Sequence, residues 1–303
     1  MENSADEEFV NKNILKDYNH VILKYYQTNN FMKTILVATD FSPAAANAAD
    51  YAADMAMAID ADILLLHIYE TPVVYMEVPI AMNEADMTQS AERAMIRLEA
   101  ELVVRTNGEP NINTEIRIGN FFAELETVCE RIKPYAVVIG SQGTTAAERL
   151  LFGGHAVYAM KHLIWPLITV PSTVKFSSVK KIGLACDFDE VAETIPVDEI
   201  KTLVNDFHAE LHILNTGKQK VYSPELVFES GVLRNMLKDI KTDYHFIASD
   251  DTDEGIIDFA EQNQIDLLLV LPKRHGLIDA IKHKSHTKQL VLHSHVPLLS
   301  LHQ

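Results

Sequence analysis

Cysteine is nearly absent: the 303-residue chain has only Cys129 and Cys186. Two cysteines exclude a disulfide framework, and no metal-type cysteine spacing can be built from them. Such sparing use suits a reducing compartment. Basic residues are also scarce, with 26 Lys and Arg against 43 Asp and Glu and a net charge of −17. A surface of that sign repels phosphate backbones and anionic lipids, so neither nucleic acid nor membrane is an expected partner. No apolar run reaches membrane-spanning length. The opening residues, MENSADEEFVNKNILKDYNH, lack the basic start and continuous apolar stretch of a secretory leader. A cytoplasmic protein is therefore expected. Two nucleotide fingerprints are missing as well: no G-x-G-x-x-G follows the first strand signal, and no G-K-[ST] occurs.

What is present is an ordinary globular composition, 48% hydrophobic and 23% charged, in a chain long enough for two domains. The chain also repeats itself. KTILVATDFS, from Lys33, reads as a strand and turn, with Ser42-Pro43 opening an alanine-rich helix. The strands ADILLLHIY, NTEIRIG, YAVVIG and WPLITVP follow, with helices between most of them. From Lys180 the order recurs as KKIGLACDFDE, AELHILNT, DYHFIAS, IDLLLVLP and HVPLLSLH. Asp187-Phe188 thus repeats Asp40-Phe41. In the helix TQSAERAMIRLEAELVVRT, the spacing predicts Ala94, Ile96, Leu98, Leu102 and Val103 on or near one face. Strands alternating with helices imply an α/β fold with mostly parallel sheets. The expected organisation is an extension over 1–31, a first domain over 32–172 and a second over 179–303. PSTVKFSS, from Pro171 to Ser178, is the expected linker. Residues 1–31 read either as a loosely attached extension or as a helix packed on the surface.

In an open parallel sheet, ligands bind beyond the carboxyl ends of the strands near the switch in strand order. Asp40, His67-Ile68 and Gly140 end three of the strand signals. An acid at Asp40 could accept hydrogen bonds from an amino group or a ribose hydroxyl. After the fourth strand stands GSQGTTAAERLLFGGH, from Gly140 to His155. Glycines there would let backbone N–H groups approach phosphate, and a helix start at Gly153-Gly154 would favour an anion. The competing reading is turn geometry alone. For Asp40 it is an acid capping the next turn.

These residues resemble the universal stress protein family in its tandem two-domain form. The likeness is carried by ILVATDFS, LLLHI and VVIGSQG with the later Gly153, and it extends from Lys33 to Leu301. It implies two Rossmann-like domains of the adenine nucleotide alpha hydrolase-like kind, each a five-stranded, mostly parallel sheet flanked by helices. It also implies ATP or a related adenine nucleotide, accompanied by Mg2+. By position, Asp40 would hold the adenosine end, with Ala38, Thr39, Ile68 and Ile139 beside it. Gly140 and Gly143 would face ribose and phosphates, and Gly153, Gly154 and His155 would take the phosphates. The family signature G-x2-G-x9-G-[ST] ends here in Gly154, so a phosphate-contacting hydroxyl is missing. In the second half VLPKRHGLIDAIKHKSHT replaces the glycine pattern, which marks that half as degenerate for ATP. Pairing through the last strands, Leu167–Val170 and Leu298–Leu301, would make the chain an internal pseudo-dimer, with further homo-oligomerisation open. The sequence places no general base and no dedicated metal-binding acids for hydrolysis, so any ATPase activity is expected to be slow or incidental. The alternative is a signalling scaffold that acts through domain pairing without nucleotide.

The remaining candidates have simpler readings. His67 fits a core histidine bonded to backbone. Cys129 fits a helix core. Cys186 sits beside acids that disfavour a reactive thiolate. His283 and His286 could share a helix face, but neighbouring lysines favour a solvated basic helix over a metal site.

Overall fold

The computed structural model describes residues 33–70, 84–141, 156–217, 223–272 and 286–302. The expected extension over 1–31 therefore lies outside the described residues, as do Gly143, Gly153, Gly154 and His155 and the loop around Pro72 and Pro79. His283 and the side chain of His286 lie outside them too.

The first half contains β1 (Lys33–Ala38), α1 (Pro43–Ile59), β2 (Ala61–Tyr69), α2 (Glu84–Arg105), β3 (Ile112–Ile118), α3 (Phe121–Ile132), β4 (Ala136–Gly140), the helical residues 156–162 (α4) and β5 (Leu167–Val170). The second half contains β6 (Lys181–Ala185), α5 (Val191–Thr194), α6 (Val197–Phe207), β7 (Glu210–Gly217), α7 (Pro224–Met236), β8 (Thr242–Ala248), α8 (Thr252–Gln262), β9 (Leu267–Val270), α9 (His286–His293) and β10 (Leu298–Ser300). The ten strands among the described residues form one sheet, ordered β3-β2-β1-β4-β5-β10-β9-β6-β7-β8. Pairing is parallel within each half. The halves meet where β5 and β10 run antiparallel, with Ile168 opposite Leu299. The join expected through the last strands is thus a continuous backbone ladder.

Strands buried on both faces need two apolar layers, and the chain supplies both. One core gathers Ile35, Met55, Leu65 and Leu102 with Leu184, Leu203, Leu211 and Leu233. The other gathers Leu36, Leu66, Leu125 and Met160 with Leu214, Ile256, Leu268 and Leu298. Each runs through both halves, so the seam is covered from either side.

Local chemistry sets the helix ends. Ser42 Oγ accepts the Ala45 N–H at 3.2 Å, and Pro43 occupies the first turn of α1, where no N–H is needed. In the second half the 17-residue α1 is replaced by a four-residue turn and the 11-residue α6, divided at Pro196. The linker after β5 is held in place: Asn47 Nδ2 donates to the carbonyls of Pro171 and Val174 at 3.0 and 2.9 Å. Lys175 pairs with Asp50, and Phe176 meets Tyr51 edge-on.

One expected face is corrected. The buried residues of α2 include Ala91, Met95, Leu98 and Leu102, whereas Ile96 is 65% exposed and Val103 41%. The 4-3-4 spacing of the buried set is helical, but apolar residues also occupy the solvent side.

Gly231 lies within α7, exposed, and a Cβ there would meet nothing within 4 Å. Gly231→Ala removes only backbone freedom from the unfolded chain, so it is expected to raise stability by about 0.5–1 kcal/mol in denaturant unfolding.

Candidate functional site

The carboxyl end of β1 is built by a turn that strand β2 supports. The Thr39 N–H donates to the Leu66 carbonyl at 2.9 Å, and Thr39 Oγ1 accepts the Phe41 N–H at 3.0 Å. His67 Nδ1–H donates to the Thr39 carbonyl at 2.8 Å, while its ring lies 4.4 Å from that of Phe41. These bonds hold Phe41 at a φ of 63°, a left-handed conformation unfavourable for a bulky side chain. Asp40 is exposed at the rim, and its Oδ1 accepts the Ser42 N–H at 2.9 Å. The carboxylate therefore serves the turn through one oxygen. Its Oδ2 has no hydrogen bond among the described residues.

Strand β1 is flanked by β2 on one side and β4 on the other, so the strand order reverses beside it. This geometry brings Asp40, Ile68 and Gly140 to one edge of the sheet. Ala38, Thr39 and Ile139 lie buried beneath that edge, each about 5–6% exposed. Gly140 is a position of close approach: a Cβ there would stand 2.8 Å from the Ala44 carbonyl oxygen of α1. Packing thus already explains this glycine. The next residue, Ser141, donates its N–H to the Val170 carbonyl at 3.0 Å. Its Oγ is buried without a hydrogen-bond partner.

The second half repeats the turn closely. The Cys186 N–H donates to the Leu214 carbonyl at 2.9 Å, and Asn215 Nδ2 donates to the Cys186 carbonyl at 2.9 Å, an amide in the role of His67. Asp187 Oδ1 accepts the Asp189 N–H at 3.2 Å, and Phe188 adopts a φ of 57°. The parallel registers place Leu271, rather than the adjacent Pro272, at the position of Gly140. A leucine thus stands where the first half has glycine. A cleft of about 310 Å³ lies between the start of α8 and α9, lined by Asp251, Asp253, Glu254 and Asp258 among others. Four carboxylates make it unsuited to phosphate.

Neither cysteine enters the site. Cys129 is fully buried in α3, and burial, with Glu126 adding to it, pushes its thiol up to about 12. Cys186 is buried and accepts the Phe188 N–H through Sγ.

The sequence reading overlooked a cluster at the opposite end of the second half's strands. There His212 Nδ1 lies 2.9 Å from His245 Nε2, and Glu210 and Asp243 face the same imidazole. The detectable signal was a histidine in β7 where the first repeat carries the core leucine Leu64.

The universal stress protein family model matches residues 32–171 and again 178–302. A universal stress protein of Methanocaldococcus jannaschii is 26% identical over 166 residues, spanning 50% of this chain and 94% of its own length. Among solved structures, a universal stress protein from Archaeoglobus fulgidus superposes with a TM-score of 0.67 at 16% identity, covering 89% of this chain and 96% of that one. A functionally unknown protein from Pseudomonas aeruginosa gives 0.57 at 12% identity, covering 89% and 92%. No helix among the described residues is long and apolar enough to cross a membrane.

Proposed function

Because the chain belongs to the universal stress protein family, we propose that its first half binds ATP or a related adenine nucleotide in a stress response. The observation that carries this reading is the meeting of Asp40, Ile68 and Gly140 at the switch in strand order. The free Oδ2 of Asp40 offers an acceptor to the adenosine end, and Ile68 offers apolar surface, with Ile139 buried beneath it. Ser141 Oγ, buried and without a partner directly after Gly140, supplies a hydroxyl at the end of β4. In this proposal Gly143, Gly153, Gly154 and His155 take the phosphates, and Mg2+ enters with the nucleotide. The protein works in the cytoplasm as a binding protein, and hydrolysis is slow or incidental.

A second reading is a scaffold that acts without nucleotide through its paired halves. It is favoured by one observation: Asp187 and Phe188 build the same turn beside a strand that lacks the glycine loop. The Asp-Phe turn is therefore a property of the fold and does not require a ligand.

Calorimetry with ATP separates the two. Asp40→Ala is expected to weaken binding roughly 10- to 100-fold, the worth of a hydrogen bond to a charged group. Asp187→Ala should leave it unchanged. No heat at millimolar ATP would reject the nucleotide reading.

A further inference from the structure

We propose that Glu210, His212 and Asp243 form a site for a divalent transition ion of the zinc type, with His245 bracing the ligating imidazole. One atom from each of the three ligands lies within 4.8 Å of the other two. That spacing lets a small shift close them around one ion.

His212 carries the argument. It is only 7% exposed, and its Nε2 is buried without a hydrogen-bond partner. Its other nitrogen, Nδ1, faces His245 Nε2 at 2.9 Å. With Nδ1–H donated to His245, Nε2 carries the lone pair, which is the tautomer a metal requires. A partner that fixes the far nitrogen of a ligating histidine is the usual support of such sites. His245 is itself held against Phe259 of α8, with ring centroids 4.7 Å apart. Burial lowers the pKa of both imidazoles, and the mutual repulsion of their charged forms lowers that of His212 further.

The fold does not require this imidazole. In the first repeat Leu64 stands at the position of His212 and Asn113 at that of Asp243, each pair in the same parallel register. Leu64 simply packs in the core. Asp62, the counterpart of Glu210, is committed to Asn111, accepting its N–H and its Nδ2. The second repeat has thus replaced an apolar position with a buried, half-satisfied histidine between two carboxylates. Glu210 does pair with Lys241, but the pair reaches solvent, the lysine side chain 66% and the glutamate side chain 43% exposed. An exposed pair of this kind holds its partner weakly, so Glu210 is free to turn to an ion. One imidazole and two carboxylates, with no thiolate, suit zinc, cobalt or manganese rather than a soft ion such as Cu(I). The site lies at the amino ends of β7 and β8, away from the Asp187 turn, and does not depend on the nucleotide reading.

The test titrates zinc by calorimetry and cobalt by visible absorption into the full chain, freed of metal by a chelator. One tight equivalent per chain is expected. His212→Leu, which installs the first repeat's own residue, should abolish that equivalent. Asp243→Asn should weaken it at least tenfold, and His245→Phe about tenfold. Far-UV circular dichroism establishes that each variant is folded, and the exposed Asp243 gives a variant that does not disturb the core. Failure of the wild type to bind either ion would overturn the proposal. So would an unchanged equivalent in His212→Leu, or its loss in a His283→Ala/His286→Ala variant alone.

Discussion

Truncating Ile168 to alanine is expected to cost about 3 kcal/mol, measured by denaturant unfolding of the full chain. Ile168 is 1% exposed at the centre of β5, opposite Leu299 of β10, which is 2% exposed. Both faces of this ladder are covered by cores that pass through the two halves, so little of the lost volume can be recovered by relaxation. Leu299→Ala should cost a similar amount. Because the two side chains share one seam, the double variant should depart from additivity by at least about 0.5 kcal/mol. A loss below about 1 kcal/mol for either single variant would show that the seam is loosely packed and that the halves stand independently.

Gly140→Ala is expected to cost about 2 kcal/mol by overpacking. The added Cβ would lie 2.8 Å from the Ala44 carbonyl oxygen and 2.9 Å from its carbon, both backbone atoms. A flexible side chain could move aside, but here α1 itself must shift. Thermal unfolding measures the loss, with Gly231→Ala as the contrasting substitution. A neutral Gly140→Ala would mean that α1 yields easily. Since α1 begins at the turn that presents Asp40, its displacement should also weaken any nucleotide bound at that edge. A stability measurement must therefore accompany any binding measurement on this variant.

The repeat was legible because strand, turn and capping chemistry recur in order, from KTILVATDFS to KKIGLACDFDE. The Ser42-Pro43 start of α1 was legible for the same reason, since both residues act locally. The partnership of β5 and β10 came through family resemblance, because no local signal in four apolar residues says what they pair with. The buried face of α2 was misread: Ile96 and Val103 are apolar but face solvent, so residue type alone did not mark the core side. Gly140 looked like loop chemistry, and only the packing of α1 onto β4 reveals its second duty. His212 and His245 are 33 residues apart in sequence, each the one histidine of its strand. Only the parallel register of β7 and β8 makes them neighbours.

The route of the linker has a consequence for the chain's behaviour in solution. Asn47, Asp50 and Tyr51 hold residues 171–176 against α1, so β10 meets β5 at an effective concentration set by a short, guided tether. Dilution leaves such a seam closed. A pair assembled from separate identical chains would trade members, and every altered half would soon face another like itself. Here each first half keeps the same dissimilar companion for the lifetime of the molecule. One half is thereby free to lose its glycine loop, and to gain histidines, while the other retains what it had.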